Sequence, residues 1–188
     1  MEKLSYKPVS SSHIHISELM LPSNTNFSGK IHGGYILSLL DQAAFASASK
    51  FSGYYCVTAS VDRVDFINPI EVGELVTLKA CVNYVGNSSM IVGIRVESEN
   101  IQTGKIKHCN SSYFTMVAKD ENGKNATVPG LELCHEEDIR RFINCIKQID
   151  LRKERDLHEE KYNYSSIDAK AILQKYRVLL SLKQPNNC

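Results

Sequence analysis

Gly29-Lys30-Ile31-His32-Gly33-Gly34-Tyr35-Ile36-Leu37-Ser38-Leu39-Leu40-Asp41-Gln42-Ala43-Ala44-Phe45-Ala46-Ser47-Ala48 reads as a glycine-marked helix start followed by a helix that carries a single acid. From Tyr35 to Ala48 the residues are good helix formers and apolar on almost every side, the pattern of a helix enclosed by other elements. Asp41 is the exception. An ionised carboxylate among apolar neighbours is costly unless it is hydrogen-bonded or paired, so it needs either a structural partner or a chemical role.

Upstream of this helix, residues 12–20 alternate loosely between apolar and polar, as a strand half-buried on one face would. Pro22-Ser23-Asn24-Thr25-Asn26-Phe27-Ser28-Gly29 is a cluster of turn residues that delivers the chain to the helix. Downstream, residues 55–66, 75–84, 90–96 and 106–119 are predicted strands. In the second of these, Val76, Leu78, Ala80, Val82 and Tyr84 face one side and Thr77, Lys79 and Asn83 the other. The turns between them are short: Glu71-Val72-Gly73-Glu74, Val85-Gly86-Asn87-Ser88 and Gln102-Thr103-Gly104-Lys105. Short connections make antiparallel neighbours, and a lone apolar helix must be covered by the concave face of their sheet. The expected fold is therefore α+β: a curled antiparallel β-sheet wrapped around one central helix in the hotdog manner, completed by pairing with a second copy.

The chain has 188 residues, 43% of them hydrophobic, enough for one sizeable core and an appendage. Residues 1–130 form the expected domain and residues 131–188 a C-terminal helical extension. In that extension Ile139, Phe142, Ile143, Ile146 and Ile149 recur at helical spacing, and a further helix is expected from Ser166 to about Leu182. A net charge of +1 without a basic run gives no footprint for nucleic acid, and no stretch is long and apolar enough for a membrane span. Met1 to Ser12 lacks the pattern of a secretory signal, so a cytoplasmic setting is expected. The six cysteines contain no Cys-x-x-Cys pair and are read as free thiols. No His/Cys spacing suits a metal, so none is expected.

Three features carry the candidate chemistry. Gly33 and Gly34 either ease packing at the helix start or leave backbone N–H groups, backed by the helix dipole, to hold an oxyanion. Asp41 stands seven residues beyond Gly34, about 10 Å along the axis, too far for one reacting carbon to touch both in one chain. Antiparallel pairing of two helices across a dimer would bring them together. Asn26 is either a turn residue or a group that holds a water or a carbonyl.

The spacing Asn26-x-x-Gly29-x-Ile31-His32-Gly33-Gly34 followed by Asp41 resembles the fingerprint of the hotdog acyl-CoA thioesterases, which include bacterial YciA-type and cytosolic brain-type acyl-CoA hydrolases. The likeness continues through Val57-Thr58-Ala59-Ser60-Val61-Asp62, Phe66, Pro69, Val72-Gly73-Glu74, Val85-Gly86-Asn87-Ser88-Ser89-Met90, Met116-Val117-Ala118 and Val128-Pro129. It implies hydrolysis of an acyl-CoA to a free acid and CoA, in fatty acid metabolism, with no cofactor beyond the CoA of the substrate. By position, Asp41 would activate water, Asn26 would position that water or the thioester, and the Gly34 N–H would serve as oxyanion donor. Thr58, Ala59, Ser60 and Val61, with Gly86, Asn87, Ser88 and Ser89, match where the family holds CoA. Asn87 stands where a basic residue often follows the glycine, leaving Arg63, Arg95 and Lys105 as candidate phosphate contacts. The resemblance further implies sites shared between subunits of a homo-oligomer, a dimer or a trimer of dimers. Two alternatives are a phenylacetate-pathway-type aryl-CoA thioesterase and a non-catalytic CoA-sensing module.

Overall fold

The computed structural model describes residues 5–62, 64–160 and 177, the side chains of 155–160 excepted. Its elements run β1 (Tyr6–Pro8), β2 (Ile14–Leu19), α1 (Gly33–Ser52), β3 (Tyr55–Val61), β4 (Glu74–Val85), β5 (Ser89–Asn100), β6 (Lys105–Lys119), β7 (Gly130–Glu132) and α2 (Glu136–Glu160), with two short 3-10 turns before α1. The helix expected from Ser166 lies outside the described residues.

Five strands form one antiparallel sheet in the order β2-β4-β5-β6-β3. This is the expected sheet, and α1 lies in its concave face. Ile36, Leu40, Ala43, Ala44, Ala48 and Phe51 of the helix are buried against Val76, Leu78, Val82, Met90, Val92, Phe114 and Met116 of the strands. The alanines at the centre of this contact let the helix approach closely, while the fully buried rings of Phe51 and Phe114 fill the space around them. The helix stops at Gly53, whose φ of 80° is the left-handed conformation glycine adopts without strain, and whose N–H closes on Ser49 O at 2.9 Å.

The centre of β5 is buried on both faces. One face meets α1; on the other side of the sheet the first turns of α2 pack on β4, where the Phe142 ring lies 5.4 Å from Tyr84, and Cys145 is fully buried. The chain divides into two units, Met1–Lys147 and Gln148–Cys188. The opening turns of α2 therefore belong with the sheet. In the second unit, helix α2 continues to Glu160.

As expected of a helix whose cover is completed by a second copy, one side is open within one chain: Leu37, Asp41 and Phe45 lie on an exposed face. Two details differ from the sequence reading. β3 ends at Val61, and the segment that follows runs along β6, held by the Asn110 amide on Asp65 O at 2.8 Å and by Ile67 N on Cys109 O at 2.9 Å. A parallel pair, β1 with β7, ties residues 6–8 to 130–132. It is too short for periodicity to reveal. Among the described residues the five cysteines are free thiols, and no helix is long and apolar enough to cross a membrane.

Candidate active site

Asp41 sits two turns into α1 on the exposed face, between Leu37 and Phe45. Its Oδ1 accepts a 2.6 Å hydrogen bond from the Thr58 hydroxyl. Thr58 comes from β3, the edge strand, and a register shift between Thr58 and Ser60 leaves Ala59 unpaired with β6. Such a bulge turns a strand locally and re-aims its side chains. The Thr58 Oγ1 also lies 3.5 Å from Met116 Sδ, but its single proton goes to the closer and charged acceptor. The second carboxylate oxygen of Asp41 accepts from none of the described residues. One oxygen is thus oriented and the other is open.

The start of the helix carries the second group of residues. His32 is the N-cap of α1, and its Nδ1 accepts from the Gly34 N–H at 2.9 Å. The Gly34 donor, expected to be open to a ligand, is therefore satisfied by the imidazole. The Gly33 N–H has no partner among the described residues. Both glycines sit under a ring: a Cβ on Gly33 would lie 3.3 Å from the Phe66 ring, and one on Gly34 would lie 3.1 Å from the His32 ring, close enough that the ring would have to shift.

Asn26 heads the loop before this helix. Its Oδ1 accepts from Ser28 N at 2.9 Å, Ser28 Oγ at 2.7 Å and Lys30 N at 3.2 Å, and its own N–H donates to Lys30 O at 2.8 Å. The amide oxygen is thus consumed in shaping the loop. The amide nitrogen, a donor with no partner among the described residues, is the group that could meet a substrate. His32 N on Asn24 O at 2.8 Å fastens the loop to the helix start. Phe27, at the loop tip, is fully exposed.

The remaining expected contacts form two strips. Thr58, Ala59, Ser60 and Val61 lie on the open edge of the sheet, where backbone groups of β3 face away from any neighbouring strand. Gly86, Asn87, Ser88 and Ser89 make the β4–β5 turn, closed by Gly86 N on Ser89 O at 2.7 Å and clamped by Ala118 N on Ser88 O and Val128 N on Asn87 O, each at 2.9 Å. Val117 pairs with both Val57 and Ser89, so the strips flank β6 two strand spacings apart, about 10 Å. Gly86 and Asn87 border a cleft of about 320 Å³ with Thr127, Val128 and Tyr6.

The structure therefore brings Asp41 to Thr58 and sets Asn26 in the loop that leads into Gly33 and Gly34, but leaves the two groups two helical turns apart. Sequence reading missed the Thr58–Asp41 pair and the His32 cap. The cap had a signal, since a side chain with an acceptor stood just before two glycines and a helix. The pair had none, because it joins residues on different elements.

Residues 28–105 match the model of the Thioesterase superfamily. The chain is 46% identical over 137 residues to Protein VdlD of Helicobacter pylori, covering 73% of this chain and 78% of that protein. It is 36% identical over 141 residues to the uncharacterized acyl-CoA thioester hydrolase YkhA of Bacillus subtilis, covering 75% and 82%. Among solved structures, an apo-hexameric acyl-CoA thioesterase superposes with a TM-score of 0.79 at 37% identity, over 81% of this chain and 98% of that one. An acyl-CoA hydrolase of Staphylococcus aureus, solved with butyryl coenzyme A, coenzyme A and coenzyme A disulfide, superposes with a TM-score of 0.76 at 30% identity, over 83% and 95%. That hydrolase has also been solved with an asparagine, an aspartate and a threonine each replaced by alanine. The three lie in the same order and at the same intervals along the chain as Asn26, Asp41 and Thr58 do here.

Proposed function

The chain belongs to the hotdog acyl-CoA thioester hydrolases of the thioesterase superfamily, and from that premise we propose that it hydrolyses the thioester of an acyl-CoA to a free carboxylic acid and CoA. The observation that carries the residue assignment is Asp41: a carboxylate on the exposed helix face, one oxygen fixed by Thr58 and the other open. Asp41 is the general base. Its open oxygen takes a proton from water as that water adds to the thioester carbonyl carbon; the C–S bond then breaks, and CoA leaves as a thiolate that is protonated in turn. A thiolate is a good leaving group, so the protein needs no strong general acid at the sulfur.

The oxyanion formed in the first step is held at the start of α1 of a second copy. There the Gly33 N–H, which has no partner among the described residues, and the positive end of the helix dipole meet it, and the Gly34 N–H joins when the His32 ring gives way. The Asn26 amide nitrogen of that same copy donates to the thioester or the water. Two copies are required because Asp41 and Gly34 lie about 10 Å apart along one helix. The exposed side chains of Leu37, Phe45, Tyr55 and Val61 beside the open edge of β3 are the surface such a pairing covers. A trimer of these dimers is the assembly we infer, supported by the hexameric relative. CoA is placed along Thr58, Ala59, Ser60 and Val61 and against the turn formed by Gly86, Asn87, Ser88 and Ser89. A cytoplasmic setting agrees with the free cysteines.

The test is release of free thiol from acyl-CoAs running from acetyl to palmitoyl, with phenylacetyl-CoA added, by the wild type and by Asp41→Ala. Cleavage of at least one member, and a loss in turnover of about a hundredfold or more in Asp41→Ala, is the expected result. A wild type that binds CoA and cleaves nothing would make the chain a sensing module, and an active Asp41→Ala would remove Asp41 as the base.

A further inference from the structure

The convex face of the sheet, behind the strands that hold α1, carries a second cleft. It has a volume of about 310 Å³ and lies beside β2, β4, β5, β6 and the first turns of α2; no residue of β3 borders it.

Its floor is polar and buried. Asn83 is only 4% exposed; its Oδ1 accepts from the Cys81 thiol at 3.2 Å, and its amide nitrogen donates to none of the described residues. Gly93 leaves room for that amide, since a Cβ there would lie 2.1 Å from the Asn83 nitrogen. That amide is therefore a donor at the floor of the cleft left for a ligand oxygen, and the Ser112 hydroxyl on the same lining is buried with no partner among the described residues.

The rim is cationic. Lys79 and Arg95 share one carboxylate, Glu97, at 2.6 and 2.7 Å, and Arg140 and Arg141 share another, Glu137, at 2.5 and 2.8 Å. Two carboxylates thus serve four cations, and His13 and His15 border the same cleft. Burial and then His15 hold the His13 imidazole below its ordinary value, with Arg141 and Lys50 adding and Asp138 opposing. Among the described residues Glu137 is the one acid on the lining, against Lys79, Arg95, Arg140 and Arg141.

We propose that this cleft binds a small phosphate-bearing anion, whose oxygens accept from the Asn83 amide and the Arg141 guanidinium and complete the charge of Lys79 and Arg95. Guanidinium groups match phosphate oxygens in pairs, and half-neutralised cations around a partly dry space favour an anion over a neutral guest. The volume is at the low end for ligand pockets, suited to a diphosphate or a phosphate ester and too small for a whole coenzyme. The site goes beyond the thioesterase reading, because Asp41 and Thr58 meet on the helix side of the sheet.

The experiment is calorimetric titration of the full chain with pyrophosphate in low-salt buffer, with and without saturating CoA. Arg95→Gln and Lys79→Gln are the test variants, since both side chains are about half exposed and their loss leaves the packing intact. Saturable binding of one pyrophosphate per chain, weakened at least tenfold in either variant and unchanged by CoA, is expected. Absence of saturable binding, equal affinity in the variants, or displacement by CoA would each overturn the proposal, the last by making the cleft part of the CoA site. The titration involves no turnover, so failure of the thioesterase reading leaves its outcome readable.

Discussion

The Thr58 hydroxyl donates to Asp41 Oδ1 at 2.6 Å, joining the edge strand to the one acid on the exposed face of the buried helix. That bond fixes which oxygen of Asp41 is left for chemistry. Thr58→Val keeps the shape of the side chain and removes the donor, so kcat is expected to fall about tenfold, the size of one hydrogen bond to an exposed charged group, with a smaller change in KM. Steady-state kinetics on the best acyl-CoA measures it. An unchanged kcat would reduce Thr58 to a packing residue.

His32 holds the first turn of α1 through its Nδ1 and the Gly34 N–H. Loss of an N-cap acceptor costs about 1 kcal/mol, so His32→Ala should lower Tm by about 2 to 4 °C. His32→Asn, which restores an acceptor, should recover most of it. Thermal unfolding followed by circular dichroism reports both.

Glu74 links three strands: Lys107 Nζ lies 2.8 Å from one of its oxygens, and Ser98 Oγ and Glu71 N donate to the other at 2.5 and 2.9 Å. Burial pushes its carboxyl up, but the Glu71 N–H, the Lys107 ammonium and the Ser98 hydroxyl outweigh it and leave the group below its ordinary value. A carboxyl lowered on folding contributes stability that is present above its unfolded value, near 4.5, and is lost as pH falls through the lowered folded value. Glu74→Gln is therefore expected to cost about 1 to 3 kcal/mol at pH 7, and the gap from the wild type should close as pH falls below 4.5. Urea unfolding at several pH values checks the sign; a gap that widened in acid would contradict it.

The open face of α1 bears Phe45, 38% exposed, packed edge to face on Tyr55 of β3 with ring centroids 5.5 Å apart. Phe45→Glu places a charge on that surface without entering the core. It should yield monomers by size-exclusion chromatography with light scattering, and thioester hydrolysis should be lost with the dimer.

The long strands and the central helix are legible in the sequence because they rest on long periodic signals, the alternation of Val76, Leu78, Ala80 and Val82 and the unbroken helix formers after Gly34; the pairings of β2 with β4 and of β3 with β6 are not. The register shift at Ala59 is not, since it depends on how Thr58 and Ser60 meet β6. Nor is the exposure of Asp41. An apolar helix reads as enclosed whether its cover comes from its own sheet or from a second copy, and the sequence pattern is the same in both cases. The two halves of the site, Asn26 with Gly34 and Asp41 with its neighbours, stand out by residue type and spacing. The bonds that set their state, Thr58 on Asp41 and His32 on Gly34, arise only once strand and loop are folded against the helix.

Mixing two inactive variants tests the shared site most directly. Asn26→Ala and Asp41→Ala, each inactive alone, are unfolded together, refolded as an equimolar mixture and assayed for thiol release. If Asp41 of one copy works with Asn26 and the helix start of another, half of the dimers are mixed and each has one intact site, so about a quarter of wild-type activity should return. If the mixture stays as inactive as its parts while forming dimers, each site lies within a single chain and the two-copy account is wrong.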